Sequence, residues 1–309
     1  MIAFGTAITE PELYALYAEP GIRSASEPNS AILSHANGGG ASIFRNYNLM
    51  LELAAEHEDL EALVLVHQDA ELVDRDFCEK ARRALSDPDV AIVGCAGAIG
   101  VRSIAWWTGS VTWASFTHRY DEFGGGEIPA LSWRPEEIPS YAHRGEVDAI
   151  DGVLMVLSPW AVRELRFDES LGQLHGYDFD ICQQARAAGK KVITEDLRVI
   201  HHHSLDLLQD VDGWISAHIR IAEKWDGRLA SVPGADWRTR ALRAEAGADA
   251  SRLLAVATEH IRIAQAEHDA RQIDELRYRI HVTESSSSWR LTAPFRAIGN
   301  LVRRIRRRL

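Results

Sequence analysis

The chain has 309 residues, 46% hydrophobic and 26% charged, enough for a sizeable packed core. Its net charge of -11 argues against general nucleic-acid binding, and no apolar run approaches the roughly 18 residues of a membrane span. Three scattered cysteines, Cys78, Cys95 and Cys182, show no zinc spacing; with no signal-peptide pattern at the start, a reducing, cytoplasmic setting is expected.

Ile2 to Ile8 predicts a first strand and Pro11 to Glu19 a short helix stopped by Pro20-Gly21. Ser30 to Ser34 predicts a second strand. The loop Asn37-Gly38-Gly39-Gly40 follows, then a helix over Ser42 to Glu56 with Asn46 and Asn48 near its start. Leu63-Val64-Leu65-Val66 is a strand buried on both faces that stops abruptly at His67-Gln68-Asp69. Ligands of open α/β sheets bind beyond such strand ends, so Asp69 is a candidate ligand for a hard cation. Asp74 to Ser86 predicts a helix and Val90 to Cys95 another buried strand. This alternation implies a mostly parallel sheet covered by helices.

Ala96 to Arg144 breaks the alternation and is expected to be a loop-rich insertion, with Trp106, Trp107, Trp113 and Trp133 along it. Trp106 and Trp107 are candidates for packing on a sugar ring. Val147 to Leu157 is strand-like but interrupted by Asp148, Asp151 and Gly152, so those acids lie at a strand end or face a site. Ser158 to Leu165 predicts a helix. Another opens at His175-Gly176-Tyr177-Asp178-Phe179-Asp180 and stops at Gly189. Lys191 to Thr194 and Leu197 to His203 predict strands, the second ending in three histidines. Beyond them, Trp214, Ile215, His218, Ile221, Ala222 and Trp225 share a helical face, and Thr239 to His281 is helix-prone up to a break at Ser285 to Ser288.

The ordered set of a Gly-rich loop before Tyr47-Asn48, then LVLVHQDAEL, DGVLMVLSPWAV, FDESLGQLHGYDFDICQQARAAGKKV and VIHHHS resembles the family 2 glycosyltransferases of the GT-A fold. Within them it is similar to the StrF-type streptomycin-biosynthesis subgroup. The likeness runs from about Ile2 to Ser204. It implies a Rossmann-like, mostly parallel α/β sheet flanked by helices, with a helical C-terminal extension. Composition and periodicity add the rest, giving three expected segments: residues 1–230 as the transferase domain, 231–284 as a helical extension able to pair with a second copy, and 285–309 as a basic amphipathic tail.

The likeness also implies roles. His67-Gln68-Asp69 takes the place of the family's DxD motif, with His67 where the first acid usually stands. Asp69 and His201 would hold Mn2+ or Mg2+ against the diphosphate of a nucleotide-sugar donor, and Thr6, Ala7, Asn48 and His67 would line the donor. Asp178 would be the catalytic base, preceded by Tyr177 where the family usually has Glu. Asp151, Gly152, Tyr177 and Asp180, with Trp106 and Trp107, would face a glycan or lipid-linked acceptor. The implied reaction is an inverting, metal-dependent sugar transfer in surface polysaccharide biosynthesis.

From Trp289 the chain interleaves apolar residues with arginines, five of them between Arg303 and Leu309. That pattern suits a peripheral contact with the inner membrane face. Two rival classes stand beside this expectation. A nucleotidyltransferase usually needs a basic Gly-rich loop, and Asn37 to Gly40 has no lysine nearby. A degenerate transferase fold serving as a glycan-binding or scaffold protein fits the departures at His67 and Tyr177.

Overall fold

A computed structural model describes residues 1–36, 40–101, 103–106, 110–120, 126–127, 144–202, 210–225, 245, 248, 262–263 and 266–293. The chain divides into two compact units, Met1–His260 and Ile261–Leu309.

In chain order, the first unit opens with β1 (Ile2–Gly5), β2 (Ala7–Ile8), α1 (Pro11–Leu13), a π-helical turn over Tyr14–Ala18, and α2 (Glu19–Ala25). Next come β3 (Ala31–Ile32), β4 (His35–Ala36), α3 (Ile43–Ala55), β5 (Ala62–Val66), β6 (Ala70–Leu72), α4 (Phe77–Ala84) and β7 (Val90–Gly94). β8 (Ala96–Ile99), β9 (Ser110–Ala114), β10 (Phe116–Tyr120), β11 (Gly126–Glu127) and β12 (Ala149–Ile150) precede β13 (Leu154–Leu157) and α5 (Pro159–Glu164). Then follow α6 (Tyr177–Ala187), β14 (Lys191–Thr194), β15 (Val199–His201) and α7 (Val211–Trp225).

The central sheet has the order β14-β7-β13-β5-β1-β3. β1 pairs parallel with β3 and β5, and β14 parallel with β7; β13 alone runs against its neighbours β5 and β7. Every residue of β1, β5, β7 and β13 is buried, as expected of strands covered on both faces. β13 is consequential. The segment preceding an antiparallel strand lies at the same rim as the segments following its parallel neighbours. That places Asp151-Gly152-Val153 beside the chain leaving β5, and the His67 N–H donates to the Val153 carbonyl at 3.1 Å.

Helix boundaries follow local chemistry. Ser42 caps α3 by accepting from the Arg45 N–H, and Ser158 caps α5 by accepting from Ala161. Gly189, at φ +76°, ends the α6 turn in the left-handed region. Pro20-Gly21 does not stop the first helical segment, which continues to Ala25. The backbone re-registers through the π turn so that Pro20 falls in the first turn of α2, where its missing N–H costs little. Gly21 is needed there because a Cβ would sit 2.5 Å from the Leu72 nitrogen. The stretch after Cys95 is also more regular than expected. β8 pairs with β9 and β12, and β10 with β11 and β15, because its alternating residues complete two small sheets.

The second unit is helical over residues 266–285, breaks at Ser286, and resumes as a short helix, Ser287–Leu291, capped by the Ser286 hydroxyl. Among the described residues no helix is long and apolar enough to cross a membrane.

Candidate functional site

β5 ends at Val66, and a turn closed by the Ala70 N–H donating to the His67 carbonyl, 3.1 Å, carries the chain into β6. β6 pairs antiparallel with β15, with Ala70 opposite His201, and the His202 N–H donates to the Asp69 carbonyl at 2.8 Å. This turn and pairing bring His67, Asp69 and His201 together although 134 positions separate the first from the last (201 - 67). Their ligating atoms all lie within 4.8 Å of one another. Asp69 Oδ1 is 3.4 Å from His201 Nε2 and 3.9 Å from His67 Nδ1, and the two imidazole centroids are 5.7 Å apart.

Burial lowers the pKa of His67 against the opposing pull of Asp69. Burial acts in the same direction on His201, but the charge and hydrogen bond of Asp69, with Asp151 behind, outweigh it and raise the pKa. Two imidazole nitrogens and a carboxylate oxygen are a donor set that a divalent transition ion accepts. The residues present therefore fit a metal, and His67 joins the two ligands expected from sequence.

Tyr177 and Asp178 open α6 beside this cluster. The Tyr177 hydroxyl lies 2.5 Å from His67 Nε2. Its ring is buried among Phe44, Tyr47 and Phe167. Gly152 admits that ring: a Cβ there would come within 2.3 Å of the Tyr177 hydroxyl oxygen. The Gly152 N–H also donates to Asp178 Oδ2 at 3.1 Å, while Asp178 Oδ1 accepts from the Phe179 N–H at 2.8 Å. Asp178 is half-buried, densely surrounded by protein yet not sealed from solvent. Burial first, then the Asp151 carboxylate, push its pKa up to about 7 against those backbone donors. Asp151 is held in turn, Oδ2 accepting from Trp106 Nε1 at 2.9 Å and Oδ1 from the Val153 N–H at 2.8 Å.

Several sequence expectations fall elsewhere. Trp106 is 6% exposed and spends its indole N–H on Asp151, so it shapes the site from behind and offers no open face to a sugar. Trp107 lies outside the described residues. Tyr177 is buried and bonded to His67, not free for an acceptor. Asn48 is buried and ties α3 to a distant segment: its amide donates to the Phe167 carbonyl at 2.9 Å and its oxygen accepts from the Phe167 N–H at 2.9 Å. Its amide also donates to Glu169 Oε1 at 3.2 Å, so its contacts here are with the protein. Asp180 is 1% exposed and accepts from Gln184, Lys224 and Trp225, anchoring α7. Thr6 is fully buried, its hydroxyl unpartnered among the described residues, and Ala7 is half-buried in β2, paired with His35.

Because Asp180 is buried while accepting from the more exposed Lys224 and from Trp225, Asp180→Asn should lower stability by about 1–3 kcal/mol, the usual cost of leaving a buried polar group poorly satisfied. A denaturant titration reads that loss, and kcat of the folded enzyme should stay near wild type. A large kcat loss at unchanged stability would return Asp180 to the site.

Two positioning residues had no sequence signal. Gln68, between His67 and Asp69, accepts from the Thr9 and Glu10 N–H groups and donates to the Thr9 hydroxyl, tying the β5 exit to the segment after β2. His202 stacks on Tyr17 with ring centroids 3.7 Å apart and meets Glu71 at 3.0 Å.

Known proteins resemble this chain in sequence and in fold. StrF of Streptomyces griseus, a streptomycin biosynthesis protein, is 29% identical over 208 residues, 66% of this chain and 67% of StrF. RfbC of Myxococcus xanthus, an O-antigen biosynthesis protein, is 26% identical over 55% of this chain but only 13% of its own length. The mannosyltransferase PcManGT from Pyrobaculum calidifontis, solved in complex with GDP-Man and Mn2+, aligns at a TM-score of 0.48 and 15% identity, covering 96% of this chain and 84% of that one. The profile described as "Glycosyltransferase like family" matches residues 36–212, more than half the chain, a range that includes His67, Asp69, Asp151, Tyr177, Asp178 and His201. The chain therefore belongs to this glycosyltransferase-like family, and it is a glycosyltransferase.

Proposed function

We propose that the enzyme is inverting and metal-dependent, and that it moves a sugar from a nucleoside-diphosphate donor to a hydroxyl of a glycan or lipid-linked acceptor. The observation that carries this reading is the convergence of His67, Asp69 and His201 beside Tyr177-Asp178. Asp178, with its pKa near neutrality, suits removal of the acceptor proton as the hydroxyl attacks. Asp151, the neighbouring carboxylate, is held by hydrogen bonds from Trp106 and Val153, which supports a structural role for it and a single displacement with inversion at the sugar C1 that uses Asp178 as its one base. His67, Asp69 and His201 would hold the ion; once bound, it supplies Lewis-acid neutralisation of the departing diphosphate. Their two nitrogens favour Mn2+ over Mg2+, which prefers an oxygen shell.

The O-antigen role of RfbC supports a surface polysaccharide as the acceptor class. The streptomycin role of StrF favours a second reading, a small soluble acceptor. The basic tail from Trp289 to Leu309 supports peripheral attachment at a cytoplasmic membrane face, and the helix before it supports pairing of two copies.

The test is turnover of UDP-, GDP- and TDP-sugars with Mn2+ and candidate acceptors, with the anomeric configuration of the product read by NMR. An inverted product with one donor is expected, and EDTA should abolish it. A retained configuration would remove the single displacement. Inertness toward every donor, with glycan binding intact, would establish the degenerate binding protein instead.

A further inference from the structure

His67 and Tyr177, 110 positions apart in the chain, meet at the site. His67 Nε2 lies 2.5 Å from the Tyr177 hydroxyl, while Nδ1 of the same ring faces Asp69 Oδ1. A neutral imidazole has one proton to place, and the nitrogen bonded outward settles which one keeps it. The Tyr177 hydroxyl is a fixed outward partner. Its ring is wedged among Phe44, Tyr47 and Phe167, and it lies so close over Gly152 that no Cβ fits between.

We infer that Tyr177 is a positioning residue: its hydroxyl oxygen accepts the Nε2 proton of His67 and leaves Nδ1 as the third metal ligand of the site. A partner behind a ligating histidine fixes its orientation and basicity, and losing such a partner typically costs about 10- to 100-fold in metal affinity. This inference rests on the metal-dependent reading above.

The experiment uses the full chain with metal alone and no donor. Binding of Mn2+ is followed by loss of the free-ion EPR signal in the wild type, Tyr177→Phe, His67→Asp and the double variant, with thermal unfolding as a check on folding. Tyr177→Phe keeps the ring packing and removes only the hydroxyl. It should weaken Mn2+ binding about 10- to 100-fold. In the His67→Asp background there is no tautomer to hold, so the same change should matter less than about threefold, and the two substitutions should be non-additive. His67→Asp should also move the preference from Mn2+ towards Mg2+.

An unchanged affinity in Tyr177→Phe would overturn the inference while leaving the metal site in place. So would an equal loss in both backgrounds, since the hydroxyl would then act on packing and not through His67. A wild type that binds no Mn2+ would overturn the metal reading itself. Should Tyr177→Phe not fold, 15N NMR of the His67 ring in the metal-free wild type decides: the proton must sit on Nε2, and a proton on Nδ1 would overturn the inference.

Discussion

Asp178→Asn should lower kcat by about 10²- to 10⁴-fold and leave nucleotide-sugar affinity within about threefold. The amide is nearly the size of the carboxylate, and one amide oxygen can still accept from Gly152 or Phe179, so the start of α6 should hold its shape. What is lost is the group proposed to take the acceptor proton. Single-turnover rates alongside donor titration by calorimetry separate the two effects, and full turnover in the variant would strip Asp178 of its role. In the wild type the base must be ionised. Because burial and Asp151 raise its pKa to about 7, kcat/KM should be low in acid and climb with a midpoint near that value. The linked effect on stability has the opposite sign. The folded state holds this proton more tightly than the unfolded chain, whose carboxyl titrates near 4. The contribution of Asp178 to stability therefore falls as pH rises from about 4 to about 7, and Asp178→Asn should flatten that part of the profile.

The second large effect is expected at Gly152, where Ala should lower both stability and activity. Its methyl group would meet the Tyr177 ring at the hydroxyl, ring and edge atoms, at 2.3, 2.6 and 2.8 Å. Tyr177 cannot retreat, because Phe44, Tyr47 and Phe167 close the space behind it. Overpacking of this kind costs about 1–3 kcal/mol. A displacement of about 1 Å at a reacting group can cost about 10²-fold in rate. Both would follow here, because the same residue supplies the N–H that holds Asp178. Denaturant unfolding and kcat/KM measured on one preparation of Gly152→Ala test the linkage; a stability loss with unaltered kinetics would uncouple the glycine from the chemistry.

The central sheet is legible in the sequence because each strand is a short apolar run between turn formers. Leu63 to Val66 could hardly be anything but a doubly covered strand. The polar stop at His67 to Asp69 and the acids at the start of α6 mark the right rim, since charge at the end of a buried strand must face water or a ligand. Direction is what such a pattern leaves out. Asn48 and Asp180 sit one turn into their helices, as Asp178 nearly does, but their partners are Phe167 and Lys224, 119 and 44 positions away. Hydrogen bonds of that span come from packing and have no periodic signature. Trp106 misleads for the same reason. An indole in a loop-rich stretch suggests a sugar platform until Asp151 is found on its N–H. His67 is the converse case. Read as a substitute for an acid it suggests a loss of function, and only the turn back into β6 shows its ring beside two other side chains able to hold a metal.

The reversed course of β13 has a bearing on engineering. Because it delivers Asp151 to Val153 to the rim where β5 ends, the candidate site gathers along one rim of the sheet, and the opposite rim carries the entries to the parallel strands and the exit of β13. New chain ends, purification tags or fused modules placed at that far edge, for instance at the exposed turn before Leu60, should be silent in assays of sugar transfer. An insertion of a single residue between Ile150 and Leu154 should not be.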